Sequence, residues 1–297
     1  MKLTLTYAQW HPRLLAHEAQ VAEWTKPRLE RRKAGRKHPV DDFLFDYYRL
    51  TPGKLRQWHP GYLQVMMDVP PEICARYTGS RDYRVDCASG RVQADPDRFA
   101  RRAAMLRRSI TVLTNAATRP ATFSCFGMHE WAMVYRSEPA RIRHAEEALR
   151  LSPAQIASVV EATGLRCTHF DAYRFFTDSA ASRQTALTPN DQLTTEQPGC
   201  LHFGMDLYRH VYQAGPFLPS ELLAACFAHA KAARRLDMRA SPYDLASYGL
   251  SPIRLETAEG QARYVHEQRE LSRQSAELRR ETLTVLESLM ELFSHTR

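Results

Sequence analysis

No stretch of this chain approaches the roughly 20 apolar residues that a helix needs to cross a bilayer, so no membrane partner is expected. Cysteine is sparse and scattered: Cys74, Cys87, Cys125, Cys167, Cys200 and Cys226 include no CxxC pair. That spacing argues for reduced thiols over a disulfide framework. HExxH is missing, as are a glycine-rich phosphate loop, a dinucleotide fingerprint and a GxSxG elbow. The opening MKLTLTYAQWHPRLL is too polar for a secretory signal and lacks its small-residue cleavage site. A cytoplasmic location is the expectation.

What is present is ordinary for a globular chain: 44% apolar and 25% charged residues over 297 positions. No long linker interrupts it, so one domain over residues 1–297 is the simplest organisation. The formal charge is +8, with arginine far outnumbering lysine. Such a balance favours polyanions, DNA first among them, although an Arg-rich solvated surface has the same signature.

Residues 11–34 carry Leu14, Leu15, Val21, Trp24 and Leu29 on an untidy amphipathic helix. Asp41 and Asp42 before Phe43 suit a helix N-terminus, where acids meet the positive end of the dipole. Pro52-Gly53 and Pro60-Gly61 read as loops. Residues 83–94 read as a β-hairpin turning at Ala88 to Gly90. Asp95-Pro96-Asp97 opens a helix with Phe99, Leu106, Ile110 and Leu113 on one face. Arg98, Arg101, Arg102, Arg107 and Arg108 line the other, as a solvated face or a phosphate grip. Further helices are expected at 139–150, 153–163 and 220–236. From Glu259, Leu271, Leu278, Val285, Leu286, Leu289 and Phe293 recur at helical spacing, predicting one long helix over 259–297. It would close the domain or make a homodimer contact. The expected fold class is mainly α: a single helical domain with a small β-hairpin and a long C-terminal helix.

Three segments set proton-transferring or metal-ligating residues inside apolar and aromatic surroundings. They are Phe123 to Tyr135, with Cys125, His129 and Glu130; Cys167 to Phe176, with His169 and Asp171; and Cys200 to Tyr208, with His202 and Asp206. Burying an imidazole or carboxylate in such company costs several kcal/mol, as an order of magnitude, unless it is paired. Three such insertions suggest that they satisfy one another. His202 and Asp206 share a face if helical, and His169 and Asp171 share one if extended. In one reading His129, His169 and His202 with the neighbouring acids hold a metal, zinc or non-haem iron by ligand type. In another, a carboxylate (Asp171, Asp206 or Glu130) acts as base or charge stabiliser. The plain alternative is three core histidines, each held by its neighbouring acid.

Weaker signals are Asp237 to Asp244, a polar loop after a helix whose Arg239 and Asp244 would bind a substrate's polar edge; Trp58-His59-Pro60-Gly61, an aromatic lid or a packed turn; and His38 to Asp42, a fourth acid–histidine cluster or a cap. Trp131, Tyr173 and Tyr208 are candidates to line a substrate pocket.

HPVDDFLFDYYRLTPGKLRQWHPG, FSCFGMHEWAMVYR, CTHFDAYRFFT, EQPGCLHFGMDLY and LDMRASPYDL together resemble a bacterial family commonly labelled 3-methyladenine DNA glycosylase, over about residues 10–270. The resemblance implies a DNA-repair hydrolase that excises alkylated purines. A cationic base is already a good leaving group, so the enzyme would chiefly stack it on rings and stabilise the sugar cation with Asp171 or Asp206. Arg101, Arg102 and Arg108 would then hold the DNA backbone. The competing expectation is a metal-dependent enzyme acting on a small polar molecule.

Overall fold

The computed structural model describes residues 3–138 and 146–294. The fold is mainly α, with thirteen α-helices and a small four-stranded sheet among the described residues. Among the described residues no helix is long and apolar enough to cross a membrane. The chain forms two compact units, each assembled from separated stretches: residues 1–111, 207–228 and 278–297, and residues 112–206 and 229–277.

The first unit holds the sheet. Strands β1 (Leu3–Leu5), β2 (Gln64–Met66), β3 (Tyr83–Asp86) and β4 (Arg91–Ala94) lie in the order β1-β2-β4-β3. β1 and β2 run parallel, and the other two pairs are antiparallel. The expected hairpin is β3–β4. Its turn is set by Asp86, whose carboxylate accepts the Ala88 and Ser89 amides, and by Gly90 at φ +60°. β1 and β2 have three residues each, too few to display an alternation in the sequence. Trp10, Leu14, Trp58, Met66, Val69, Tyr77 and Val92 form a core cluster beside them.

Several expectations need correction in this unit. Cys74 and Cys87 form a disulfide, with Cα atoms 5.9 Å apart. The hairpin turn brings Cys87 back to the Pro71–Thr78 helix that carries Cys74, a proximity that linear spacing does not reveal. Cys125, Cys167, Cys200 and Cys226 are free. Pro52-Gly53 is the first turn of a helix, Pro52–Arg56, because Thr51 caps it by accepting the Lys54 amide. The amphipathic helix near the N-terminus runs Tyr7–Lys33. Asp42 pairs with Arg28 and Arg31 and accepts the His38 amide, and His38 Nε2 lies 3.7 Å from Asp41 Oδ2; Asp42 makes no side-chain cap on the helix Phe43–Tyr47. Trp58 and His59 are buried in an irregular segment and form no exposed lid. On the Pro96–Ala117 helix, Arg102 pairs with Asp82 and Arg98 donates to the Arg81 carbonyl, while Arg101 and Arg107 are exposed.

In the second unit the Pro153–Thr163 helix begins with Ser152 and Gln155 in a capping box. The helix expected at 139–150 does not extend over 146–150: those residues form a turn and a bend, and Leu149 bridges Tyr243. Residues 139–145 lie outside the described residues. The helix expected at 220–236 runs Ser220–Arg239. The C-terminal helix runs Ala258–Ser294, with the residues from Leu278 on belonging to the first unit, and Tyr264, Gln268, Ser275, Arg279, Thr282, Leu286 and Leu289 are buried along it. That spacing of three, four and seven directs one continuous face into the protein.

The disulfide closes a loop with a sequence separation of 13. Chain-entropy arguments value such a cross-link at about 3 kcal/mol. Denaturant unfolding of Cys87→Ser, or of wild type under a thiol reductant, is expected to show a loss of about 2–3 kcal/mol; unchanged stability would show that the bond is not formed.

Candidate metal centre

Local backbone features aim side chains from four segments at one place in the second unit. The helix Met128–Ala132 starts at Gly127, φ +66°. A Cβ on Gly127 would stand 3.0 Å from the Tyr264 hydroxyl, so glycine is what lets Tyr264 approach. This short helix buries His129 and Glu130. The turn before the Leu201–Ala214 helix is held by Gln197, which accepts the Thr122 amide at 2.9 Å and donates to its carbonyl at 3.2 Å. A Cβ at Gly199 would meet the Thr122 carbonyl at 2.3 Å, and the Gly199 carbonyl accepts Gln268 Nε2 at 2.7 Å. From that fixed start, the helix places His202 and Asp206 one turn apart on one face. His169 is not in a strand: it is the extended residue preceding the four-residue helix Phe170–Tyr173, with Asp171 in its first turn.

The three histidines converge as their segments suggested. The His129 and His202 ring centroids are 4.1 Å apart and nearly perpendicular, and His169 stacks on His202 at 5.4 Å. Asp237, from the last turn of the Ser220–Arg239 helix, completes a first group. His129 Nε2 lies 2.7 Å from Asp237 Oδ1, and His202 Nε2 lies 3.9 Å from Asp237 Oδ2. The close pair is not aligned as a hydrogen bond; both atoms are buried without a hydrogen-bond partner. Ligand atoms of His129, His202 and Asp237 all lie within 4.8 Å of one another. Two ligands about 2.1 Å from one cation stand roughly 3.0–3.4 Å apart; the separations of 2.7 and 3.9 Å lie on either side of that range, and the group could hold a cation.

Behind this group stands Arg234, 1% exposed. Its Nη1 donates to Glu130 Oε1 at 2.6 Å and to Asp237 Oδ2 at 2.9 Å. Burial opposes ionisation of Asp237, but His129 outweighs it and holds the carboxyl below its usual range. Burial, and then His129, push His202 well below the ordinary imidazole range, which keeps it neutral as a ligand must be.

A second group lies around His169, whose ring stacks on His202. His169 Nδ1 is 2.8 Å from Glu196 Oε1, and His169 Nε2 is 3.8 Å from Asp206 Oδ2. Burial disfavours a charged His169, yet Glu196 and then Asp206 overcome it and raise the pKa to about 9. Burial raises Glu196. Asp171 is half-buried and pairs with Arg174 at 3.2 Å.

A small cavity of about 20 Å³ adjoins the first group, lined among others by His129, His202, Cys125, Cys167, Cys200 and Tyr264. It has room for about one water and none for a purine. The Tyr264 hydroxyl is buried without a hydrogen-bond partner. Burial raises all three thiols, Cys167 to about 12, so they are protonated and unreactive at neutral pH.

Other sequence-predicted residues lie elsewhere. Trp131 is a core residue whose indole donates to the Ala240 carbonyl. Tyr208 belongs to the first unit, packed on Tyr48 and Phe227. Arg239 donates to Glu267 and to the Ser251 carbonyl. Asp244 is exposed and accepts the Ala246 amide in a local turn. Tyr173 is half-buried beside Phe176. Sequence reasoning missed Arg234, Asp237 and Glu196 as site residues. Asp237 and Arg239 are the last turn of a helix rather than a loop, and the available signal was an Arg and an Asp three residues apart in an alanine-rich helix.

Comparisons with protein-family models, with curated proteins and with solved structures find no match to this chain.

Removing one partner from a buried charge network leaves the rest uncompensated, at a cost of about 3–5 kcal/mol. Arg234→Ala is therefore expected to lose that much stability in denaturant unfolding. A change under about 1 kcal/mol would show that Glu130 and Asp237 do not depend on the guanidinium.

Proposed function

We propose that this chain is a metal-dependent enzyme in which His129, His202 and Asp237 hold a zinc or iron ion beside a water-sized cavity, for attack on a small polar substrate. The observation that carries the reading is the buried His129–Asp237 pair, 2.7 Å apart and without a hydrogen bond, with His202 Nε2 3.9 Å from the same carboxylate. A bound divalent ion lowers the pKa of its water toward neutrality. Arg234 fixes the orientation of Asp237, as residues behind metal ligands commonly do. Tyr264 offers its hydroxyl as a donor to an oxygen that gains charge at the cavity. The buried face of the C-terminal helix packs within the chain, and the mechanism needs no dimer.

A second reading follows the glycosylase resemblance. Asp171 is the half-buried carboxylate of this cluster, near Tyr173 and Phe176 on the same segment, where a flipped base would meet a carboxylate and rings. DNA would then be the partner.

Elemental analysis of purified protein is expected to find at least one zinc or iron per chain, lost in His202→Ala and Asp237→Asn. A protein that holds no metal as isolated and takes up none after chelation contradicts the proposal. Tyr264→Phe should keep the metal and lower turnover about 100-fold once a substrate is in hand. On methylated DNA, release of 3-methyladenine that persists with chelator and vanishes in Asp171→Asn would favour the second reading; no release is expected.

A further inference from the structure

The wall of the cavity beside His129 and His202 is electrically one-sided. Most of it is apolar or neutral, and among the described residues no carboxylate lines it. Its one permanently charged side chain is Arg166, which is exposed to solvent. Other arginines of this unit are committed elsewhere. Arg136 pairs with Glu161, Arg150 with Glu256, Arg174 with Asp171 and Arg239 with Glu267. Arg119 donates to the Leu193 and Glu196 carbonyls. Among the described residues Arg166 has no such partner, and neither has the hydroxyl of Thr168, which also lines the cavity.

The backbone between these two residues is pinned. Gln184 accepts the Cys167 amide at 2.9 Å and donates to the Cys167 carbonyl at 3.3 Å, and the Cys167 thiol donates to the His169 carbonyl at 3.4 Å. Two uncommitted donors therefore flank a clamped residue. Water serves an exposed guanidinium well, so a free arginine alone selects nothing. Its place in the wall of a cavity without acids does, because nothing there repels an anion, and an ion on His129, His202 and Asp237 would add to the attraction. The guanidinium fork matches two oxygens of a carboxylate or phosphate.

We infer that Arg166 and Thr168 receive the anionic group of the substrate at the solvent side of this cavity, which makes the substrate a small carboxylate- or phosphate-bearing molecule. The inference rests on the metal-enzyme reading above and names its substrate class. A cavity of about 20 Å³ admits one small group. The oxyanion thus stays with Arg166 while the group next to it reaches toward His129 and His202.

The test is calorimetric titration of the purified protein with acetate, inorganic phosphate and acetamide, with metal content measured on the same samples. Wild type should bind acetate or phosphate, the tighter of the two naming the class, and should bind neutral acetamide about tenfold or more weakly. Arg166→Gln should weaken binding of that anion about tenfold, and Thr168→Ala by less, with metal content unchanged in both. Arg254→Gln removes the same charge from an exposed arginine outside the cavity wall and should bind as wild type does. Equal affinity in Arg166→Gln and wild type, an equal loss in Arg254→Gln, acetamide bound as tightly as acetate, or no anion bound at all would each overturn the inference. A metal-free protein whose anion affinity still falls in Arg166→Gln would sink the metal reading and leave this site standing. A metal-loaded protein whose anion affinity ignores Arg166 would do the reverse.

Discussion

The constraint on which this molecule turns is buried negative charge. In the second unit carboxylates at 130, 196, 206 and 237 are withdrawn from water, against one buried arginine among its described residues, Arg234. Each such group would be several kcal/mol out of balance, as an order of magnitude, if left alone. Part of the balance comes from Arg234 on Glu130 and Asp237. A protonated His169 would supply one further positive charge, and the pull of Glu196 and Asp206 on that ring is visible in its raised pKa.

The fold serves that cluster by fixing backbone at a few points. Gly127 admits Tyr264, and Gly199 admits the Thr122 carbonyl. Gln197 and Gln268 then lock the turn that launches the Leu201–Ala214 helix. These contacts use neutral hydrogen bonds and glycine rather than further charges, so they position His202 and Asp206 without changing the electrostatic balance. All the proposed ligands lie in one compact unit, while the sheet and the disulfide belong to the other.

Much of this was legible in the sequence, for reasons that also mark where legibility stops. Helical periodicity gave the long C-terminal helix to within a residue at its start, and Ser152-Pro153 gave a cap that the structure contains. Histidines 129, 169 and 202 stood out because polar groups inside aromatic runs need partners. Which partners they have is a matter of tertiary distance. His129 meets Asp237 from more than 100 residues away rather than its neighbour Glu130, and His169 meets Glu196 as well as Asp206. Tyr208 follows Asp206 by two residues yet packs in the other unit, since a helix turns the two to different faces. The Cys74–Cys87 bond was hidden for the same reason: a hairpin turn, and not spacing, makes the pair neighbours.

The central claim is that nitrogen and oxygen lone pairs of His129, His202 and Asp237 point at a common ion. Crystals grown without chelator, measured on both sides of the zinc and iron absorption edges, test this most directly. The account predicts an anomalous peak roughly 2.0–2.2 Å from one atom of each of the three side chains. A map without such a peak, in crystals soaked with zinc and with iron(II), and with His129 hydrogen-bonded to Asp237, would contradict it.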